Sequence, residues 1–189
     1  KYSVENTYDG QATYFREAVA NSLKDWCDQN GYDLYTSGLK IYTTVDTKMQ
    51  KYAEEAATKQ MKIVQQNFKA HWRNRDPWVD EKGNVIPGFI EDKIQKLPIY
   101  NYLVEKYGNS NPDSVAICLN KPHKVKLFDY QKGYIEKEMS TIDSLKYMVH
   151  FMHCGFVAME PQTGYVKAWV GDIDFQTWKY DKVKSMRQP

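Results

Sequence analysis

Cysteine is scarce in this chain: Cys27, Cys118 and Cys154 are the only three in 189 residues. None has a neighbour at metal-ligand spacing, which excludes a zinc ribbon or finger. So sparse and odd a set is no framework for a disulfide-stapled mini-domain. The three read as buried thiols, one pair of which could bridge in an oxidising compartment. Long apolar runs are missing too: no stretch reaches the roughly 18 residues of a membrane-spanning helix, and no signal peptide is visible. Charge of one sign is also lacking. Lys+Arg number 26 against 24 Asp+Glu, a net charge of +2, which excludes a strong field for polyanions and argues against a nucleic-acid partner. Internal repeats and low-complexity segments are absent.

What is abundant is the aromatic set, with 15 Tyr and 5 Trp. Most lie at helical or strand spacing, so packing is the better reading, and a binding surface the weaker one. Apolar residues make up 42% and charged residues 26%, the balance of a soluble globular chain of one or two compact domains.

Periodicity divides the chain. Residues 1–10 read as a polar arm. Tyr14, Phe15, Ala18, Val19, Ser22, Leu23 and Trp26 share one face of a helix predicted over 12–29, which Asn30 and Gly31 stop. Residues 39–45 alternate and are β-branched, predicting a strand. Asp46 caps a long helix over 47–68, with Met49, Tyr52, Ala53, Ala56, Met61, Val64 and Phe68 as its apolar stripe. Residues 72–90 form a loop or small hairpin around the turn at 80–84. A helical pattern over 91–107 is broken by Pro98. Asn111 and Pro112 open a short helix to Leu119. Residues 125–130 and 134–139 make a hairpin, and Ser140 caps a helix to about His153. A last hairpin joins 156–159 to 165–170 across Pro161, Gln162, Thr163 and Gly164, where Pro fixes one backbone angle and Gly accepts a positive φ.

Candidate chemistry is thin. Ser37 and Lys40 have the Ser-x-x-Lys spelling of an acylation pair, but the spacing needs a helix. At the start of a strand it points the two side chains to opposite faces, about 10 Å apart. His150, His153 and Cys154 suggest a metal, yet no further ligand is near in sequence, and helix-end histidines suffice as explanation. Glu54 and Glu55, like Glu91 and Asp92, are adjacent carboxylates that diverge on a helix, better read as solvated faces than as an acid–base pair. Lys121, His123, Lys124 and Lys126, followed by Phe128 and Tyr130, could track a polyanion, but cationic strand edges that resist aggregation are commoner.

Three spellings carry more. Gly38, Leu39, Ile41, Tyr42, Thr43, Thr44 and Asp46 run into Gln50. Pro161, Thr163 and Gly164 precede Ala168, Val170 and Gly171. The sequence ends on Arg187, Gln188 and Pro189. Together they resemble the linker and the start of the transpeptidase domain in class A penicillin-binding proteins, enzymes that polymerise and cross-link peptidoglycan. Asp172 stands where the family pattern usually has a second Gly.

The resemblance implies an α+β fold: a linker helix and strand, a mainly helical insert with a small β-hairpin, and a partial transpeptidase sheet. It divides the chain into a linker or arm (1–38), a linker strand and first transpeptidase-associated helix (39–68), an inserted accessory module (69–153) and a first transpeptidase hairpin (154–189). The nucleophilic Ser is expected just beyond Pro189, so no catalytic residue, cofactor or metal is expected within the chain. The implied role is a non-catalytic linker and accessory portion of a synthase that polymerises lipid II, cross-links peptide stems and binds penicillin. Its parent would be anchored by an N-terminal helix, with this portion on the periplasmic face of the cytoplasmic membrane. Partners would be the rest of the parent chain and, through the insert, cell-wall synthesis proteins or regulators. An exposed sheet edge would also suit a homodimer. The rival reading is a free-standing extracytoplasmic module that binds protein or glycan and has no enzymatic parent.

Overall fold

A computed structural model describes residues 10–73, 75–108 and 112–184. The elements run α1 (Thr13–Asn30), α2 (Thr47–His71), α3 (Phe89–Gln95), α4 (Pro98–Leu103), a π-helical turn (Val104–Gly108), α5 (Pro112–Asn120), β1 (His123–Asp129), β2 (Gly133–Met139), α6 (Thr141–Val149), β3 (Phe156–Met159) and β4 (Val166–Val170). The fold is therefore mixed: helices with two separate two-stranded antiparallel sheets, β1–β2 and β3–β4. The chain divides into two compact units. One comprises 1–64 together with 153–189, and the other is 65–152.

In the first unit, α1 ends where Gly31 takes the left-handed conformation (φ 70°) and donates its N–H to the Cys27 carbonyl, the stop that Asn30 and Gly31 predict. Tyr14 and Cys27 are its buried residues, while Trp26 is about half exposed and stacks on Tyr32, ring centroids 5.6 Å apart. Asp46 caps α2: its Oδ1 accepts from the N–H groups of Lys48 and Met49, at 2.8 and 2.9 Å.

Two expectations for this unit are corrected. Residues 39–45 form no strand. Alternation and β-branching favour extended backbone, but a strand also needs a partner's hydrogen-bond ladder. Here a single backbone bond, Asp46 N–H to the Lys167 carbonyl at 3.0 Å, reaches β4. Ile41, Thr43 and Val45 instead face an open groove of about 470 Å³ beside Phe15 and Val19 of α1. The buried stripe of α2 agrees with the one read off the sequence only in part: Met61 is buried and Ala53, Val64 and Phe68 are half-buried. Met49 and Tyr52 are exposed, whereas Gln50, Met61 and Gln65 are buried. Apolarity alone misses Gln50 and Gln65, amides whose burial rests on hydrogen bonds.

The second unit holds its own core of Trp78, Ile90, Ile94, Leu103, Val115 and Leu119, against which Ile142, Leu145 and Val149 of α6 pack. Pro98 starts α4 at a position where its missing N–H costs nothing, splitting the 91–107 pattern as expected. The Asn111 cap lies outside the described residues. Ser140 caps α6, its Oγ accepting from Asp143 N–H at 3.1 Å and donating to Asp143 Oδ2 at 2.7 Å. That helix stops at Val149, short of His153. Gln65 ties the ends of the unit: its Nε2 donates to the His150 carbonyl and its Oε1 accepts from Met152 N–H, both at 2.8 Å.

In the β1–β2 hairpin Lys124 stands opposite Glu138, and Lys126 opposite Glu136. Cross-strand neighbours of opposite sign neutralise the cationic strand, so the basic stretch after Lys121 is half of a mixed-charge sheet face.

Candidate functional site

Of the residues singled out in the sequence, Thr44, Asp46 and Gln50 meet the outer edge of β4, in the first unit. The hairpin itself is closed by its turn. Gly164 takes φ 71° and donates to the Glu160 carbonyl at 2.8 Å, while Thr163 Oγ1 donates to Glu160 Oε2 at 2.6 Å. Pro161 lies in the same turn, and Ala168 and Val170 point inward and are buried.

The edge of β4 facing 44–50 is satisfied mostly by side chains. Thr44 Oγ1 donates to the Val166 carbonyl at 2.8 Å. Gln50, 1% exposed, meets both backbone groups of Trp169. Its Nε2 donates to the Trp169 carbonyl at 2.8 Å, and its Oε1 accepts the Trp169 N–H at 2.7 Å. A primary amide presents one N–H and one C=O side by side, as a strand residue does, so Gln50 completes the ladder that 39–45 leaves open. The second N–H of Nε2 goes to Glu54 Oε1 at 2.7 Å, which also accepts the N–H of Ala12 at 2.8 Å. That contact holds Ala12 at the start of α1 in a left-handed conformation, φ 57°, which costs an L-residue roughly 1 kcal/mol.

Behind β4, Gly171 lies against Tyr14. A Cβ at 171 would sit 2.5 Å from two carbons of the Tyr14 ring and 2.6 Å from Asp181 Oδ1. The Tyr14 hydroxyl donates to the Trp178 carbonyl at 2.5 Å, and its ring meets Phe175 edge-on at 4.9 Å. Burial, followed by the carboxylates of Asp172, Asp174 and Asp181, pushes the phenol well above its usual range.

Asp172, the departure from the family pattern, is a buried ion. One oxygen lies 2.7 Å from His153 Nδ1 and 3.8 Å from Lys182 Nζ, and the other accepts the Ile173 N–H at 2.8 Å. A carboxylate with no exposed side-chain surface needs such partners. His153 is thereby fixed as a carboxylate partner, its ring edge-on to Trp178.

The Cys154 thiol is pushed up from 9.0 to about 11 by burial and then by Asp172, so at neutral pH it is no nucleophile. Ser37 Oγ accepts the Asp33 N–H inside a loop. Glu55 pairs with Lys51 along α2, at 3.9 Å, while Glu91 and Asp92 lie in the first turn of α3, where the helix dipole favours them. His150 Nδ1 lies 2.6 Å from the Lys146 carbonyl. Among the described residues no group of three or more His, Cys, Asp or Glu could hold a metal.

Gly38 sits at φ 67°, Leu39 is half-buried, and Tyr42 is 89% exposed. Arg187, Gln188 and Pro189 lie outside the described residues. Sequence reading marked Gln50 and Gly171 only as parts of a family spelling and foresaw neither the clamp nor the contact with Tyr14. The one available signal was a glutamine within an otherwise apolar helical stripe.

Residues 73–152 match the model of the penicillin-binding protein middle domain, a range contained in the second unit and ending on the same residue. Nearly the whole chain aligns with proteins named penicillin-binding protein 1A. That of Rickettsia conorii is 28% identical over 97% of the chain, that of Rickettsia felis 28% over 97%, and that of Neisseria flavescens 24% over 96%. The chain resembles the penicillin-binding proteins along nearly its full length. It spans about a quarter of the length of these relatives: 24% of both Rickettsia proteins and 25% of the Neisseria protein. No solved structure matches it. In chain order, the middle-domain match lies between the two stretches that build the β4 edge. Among the described residues no helix is long and apolar enough to cross a membrane.

Proposed function

We propose that this chain is the non-catalytic frame of a bifunctional peptidoglycan synthase. It joins the part that polymerises lipid II to the part that cross-links peptide stems, on the periplasmic face of the cytoplasmic membrane. The observation that carries this reading is the Gln50 clamp. A side chain from the stretch that resembles the interdomain linker closes the edge of the strand that resembles the opening of the transpeptidase domain. A linker so bound transmits position, because shifting α2 relative to β4 would break two part-buried hydrogen bonds at once.

The β3–β4 hairpin supports the same reading. Phe156, Val157 and Met159 expose apolar surface on β3. Such a hairpin is marginal alone and gains from further strands or covering helices, as the greater length of the relatives would supply. The unit at 65–152 would act as an accessory surface for cell-wall proteins.

Fluorescent penicillin tests this. The 189-residue chain should stay unlabelled, while the longer polypeptide read from the gene should take up one label, and Gln50→Leu in that polypeptide should slow labelling. Acylation of the 189-residue chain itself, or a reading frame that closes directly after Pro189, would overturn the proposal.

A further inference from the structure

The second unit carries a cavity of about 370 Å³ at the C-terminal end of α2, lined by Lys69, Arg73, Arg75, Asp76 and His150, with Phe68 and Trp72 as its aromatic wall. Among the lining residues three cations stand against one carboxylate, an excess of two, with Asp129 of β1 acting on Lys69 from outside the cavity. Among the described residues none of the three cations lies within ion-pair distance of a carboxylate. The helix dipole accounts for Lys69, which sits in the last turn of α2. It does not account for Arg73 and Arg75, which follow the end of the helix.

Arg75 is held in place beforehand. Its guanidinium carbon lies 5.4 Å from the centroid of the Trp72 ring, and one N–H donates to the His71 carbonyl at 3.3 Å. That uses one of the five N–H donors of a guanidinium and fixes the plane of the rest. Phe68 stands beside Trp72, ring centroids 6.3 Å apart. The two rings supply an apolar wall next to the charge.

We propose that this cavity binds a phosphate group. A single carboxylate would be satisfied by one guanidinium fork. Two forks and an ammonium suit a tetrahedral oxyanion, and a surplus of two charges matches the roughly −1.5 to −2 of a phosphate monoester at neutral pH. The group could arrive as soluble phosphate or on the headgroup of an anionic lipid, whose apolar remainder would lie along Phe68 and Trp72. The inference rests on this cavity alone and stands apart from the peptidoglycan reading.

The test uses the 189-residue chain at fixed ionic strength. One arm titrates inorganic phosphate and follows the indole N–H resonance of Trp72. The other sediments the chain with vesicles of phosphatidic acid, whose headgroup is a phosphate monoester, in phosphatidylcholine, with pure phosphatidylcholine as blank. Arg73→Gln with Arg75→Gln should weaken whichever binding is seen by at least about tenfold, the loss expected for two charge-assisted contacts. Lys124→Gln with Lys126→Gln removes the same charge from the β1–β2 hairpin and should change it by less than about twofold. Binding in the phosphate arm identifies a soluble ligand, and binding in the vesicle arm alone identifies a headgroup. Should the arginine variant fail to fold, the native chain still decides: phosphate or vesicles must shift Trp72 and leave Trp169 in place. Absence of binding in both arms, or equal losses in the two double variants, overturns the proposal.

Discussion

At the scale of single residues, the first unit depends on groups whose roles come from distant neighbours. Gly171 is the sharpest case. Its carbonyl accepts from Lys182 N–H at 2.7 Å, and the ring of Tyr14 occupies the space a side chain would need. Tyr14 is buried and tethered through its hydroxyl, so the ring has little room to retreat. Gly171→Ala should therefore cost about 2–3 kcal/mol, the range for overpacking a core. Urea unfolding measures it, and a double-mutant cycle identifies the cause. With Tyr14→Ala already in place, the same substitution should cost at least about 1 kcal/mol less, the remainder being the contact with Asp181 Oδ1. Equal costs in the two backgrounds would show that the ring is not the obstacle. Nothing in the sequence near Gly171 announces Tyr14, which lies far away in the chain. Asp172 illustrates the same limit. Its spelling shows only a departure from a glycine, while its partners His153 and Lys182 appear only once the chain is folded.

Elements were legible wherever local chemistry decides them. Gly31 ends α1, Pro98 splits the helical stretch before the π-helical turn, and the glycine of each hairpin sits at positive φ: Gly133 at 76° and Gly164 at 71°. Ser140 belongs to this class, and its effect is predictable in size. α6 has nine residues, and the cap satisfies one of the N–H groups that its first turn leaves without a partner. Ser140→Ala should cost about 1 kcal/mol, and Ser140→Thr should retain most of that. Thermal unfolding followed by circular dichroism compares them; an alanine variant that melts with the native chain would mean that the helix holds through packing alone. Residues 39–45 mark where local reading ends. Their pattern is that of a strand, but the neighbouring edge of β4 is taken by Gln50 and Thr44, and side-chain amides and hydroxyls do not register in a β-propensity.

For the whole molecule, the decisive feature is that one unit is built from both ends of the chain and the other from its middle. Contacts between segments so distant in sequence carry no periodic signature, and only the resemblance of the two terminal blocks to one family pointed to them. The middle unit begins and ends at the same place, since the Gln65 side chain bonds to His150 and Met152. A module whose two ends meet is one whose removal leaves a small gap, the reason inserted domains are tolerated in a host fold. Replacing residues 66–151 by a Gly/Ser linker of about four residues should accordingly leave α1, the start of α2 and the β3–β4 hairpin folded. Closing so short a loop costs little chain entropy. The shortened chain should unfold cooperatively in urea, and Gln50→Leu should destabilise it by about 2–4 kcal/mol, because the Trp169 N–H and carbonyl would be buried without partners. A shortened chain with no cooperative transition would mean that the first unit needs the middle one to fold. A transition insensitive to Gln50→Leu would remove the clamp from the account of how linker and sheet are joined.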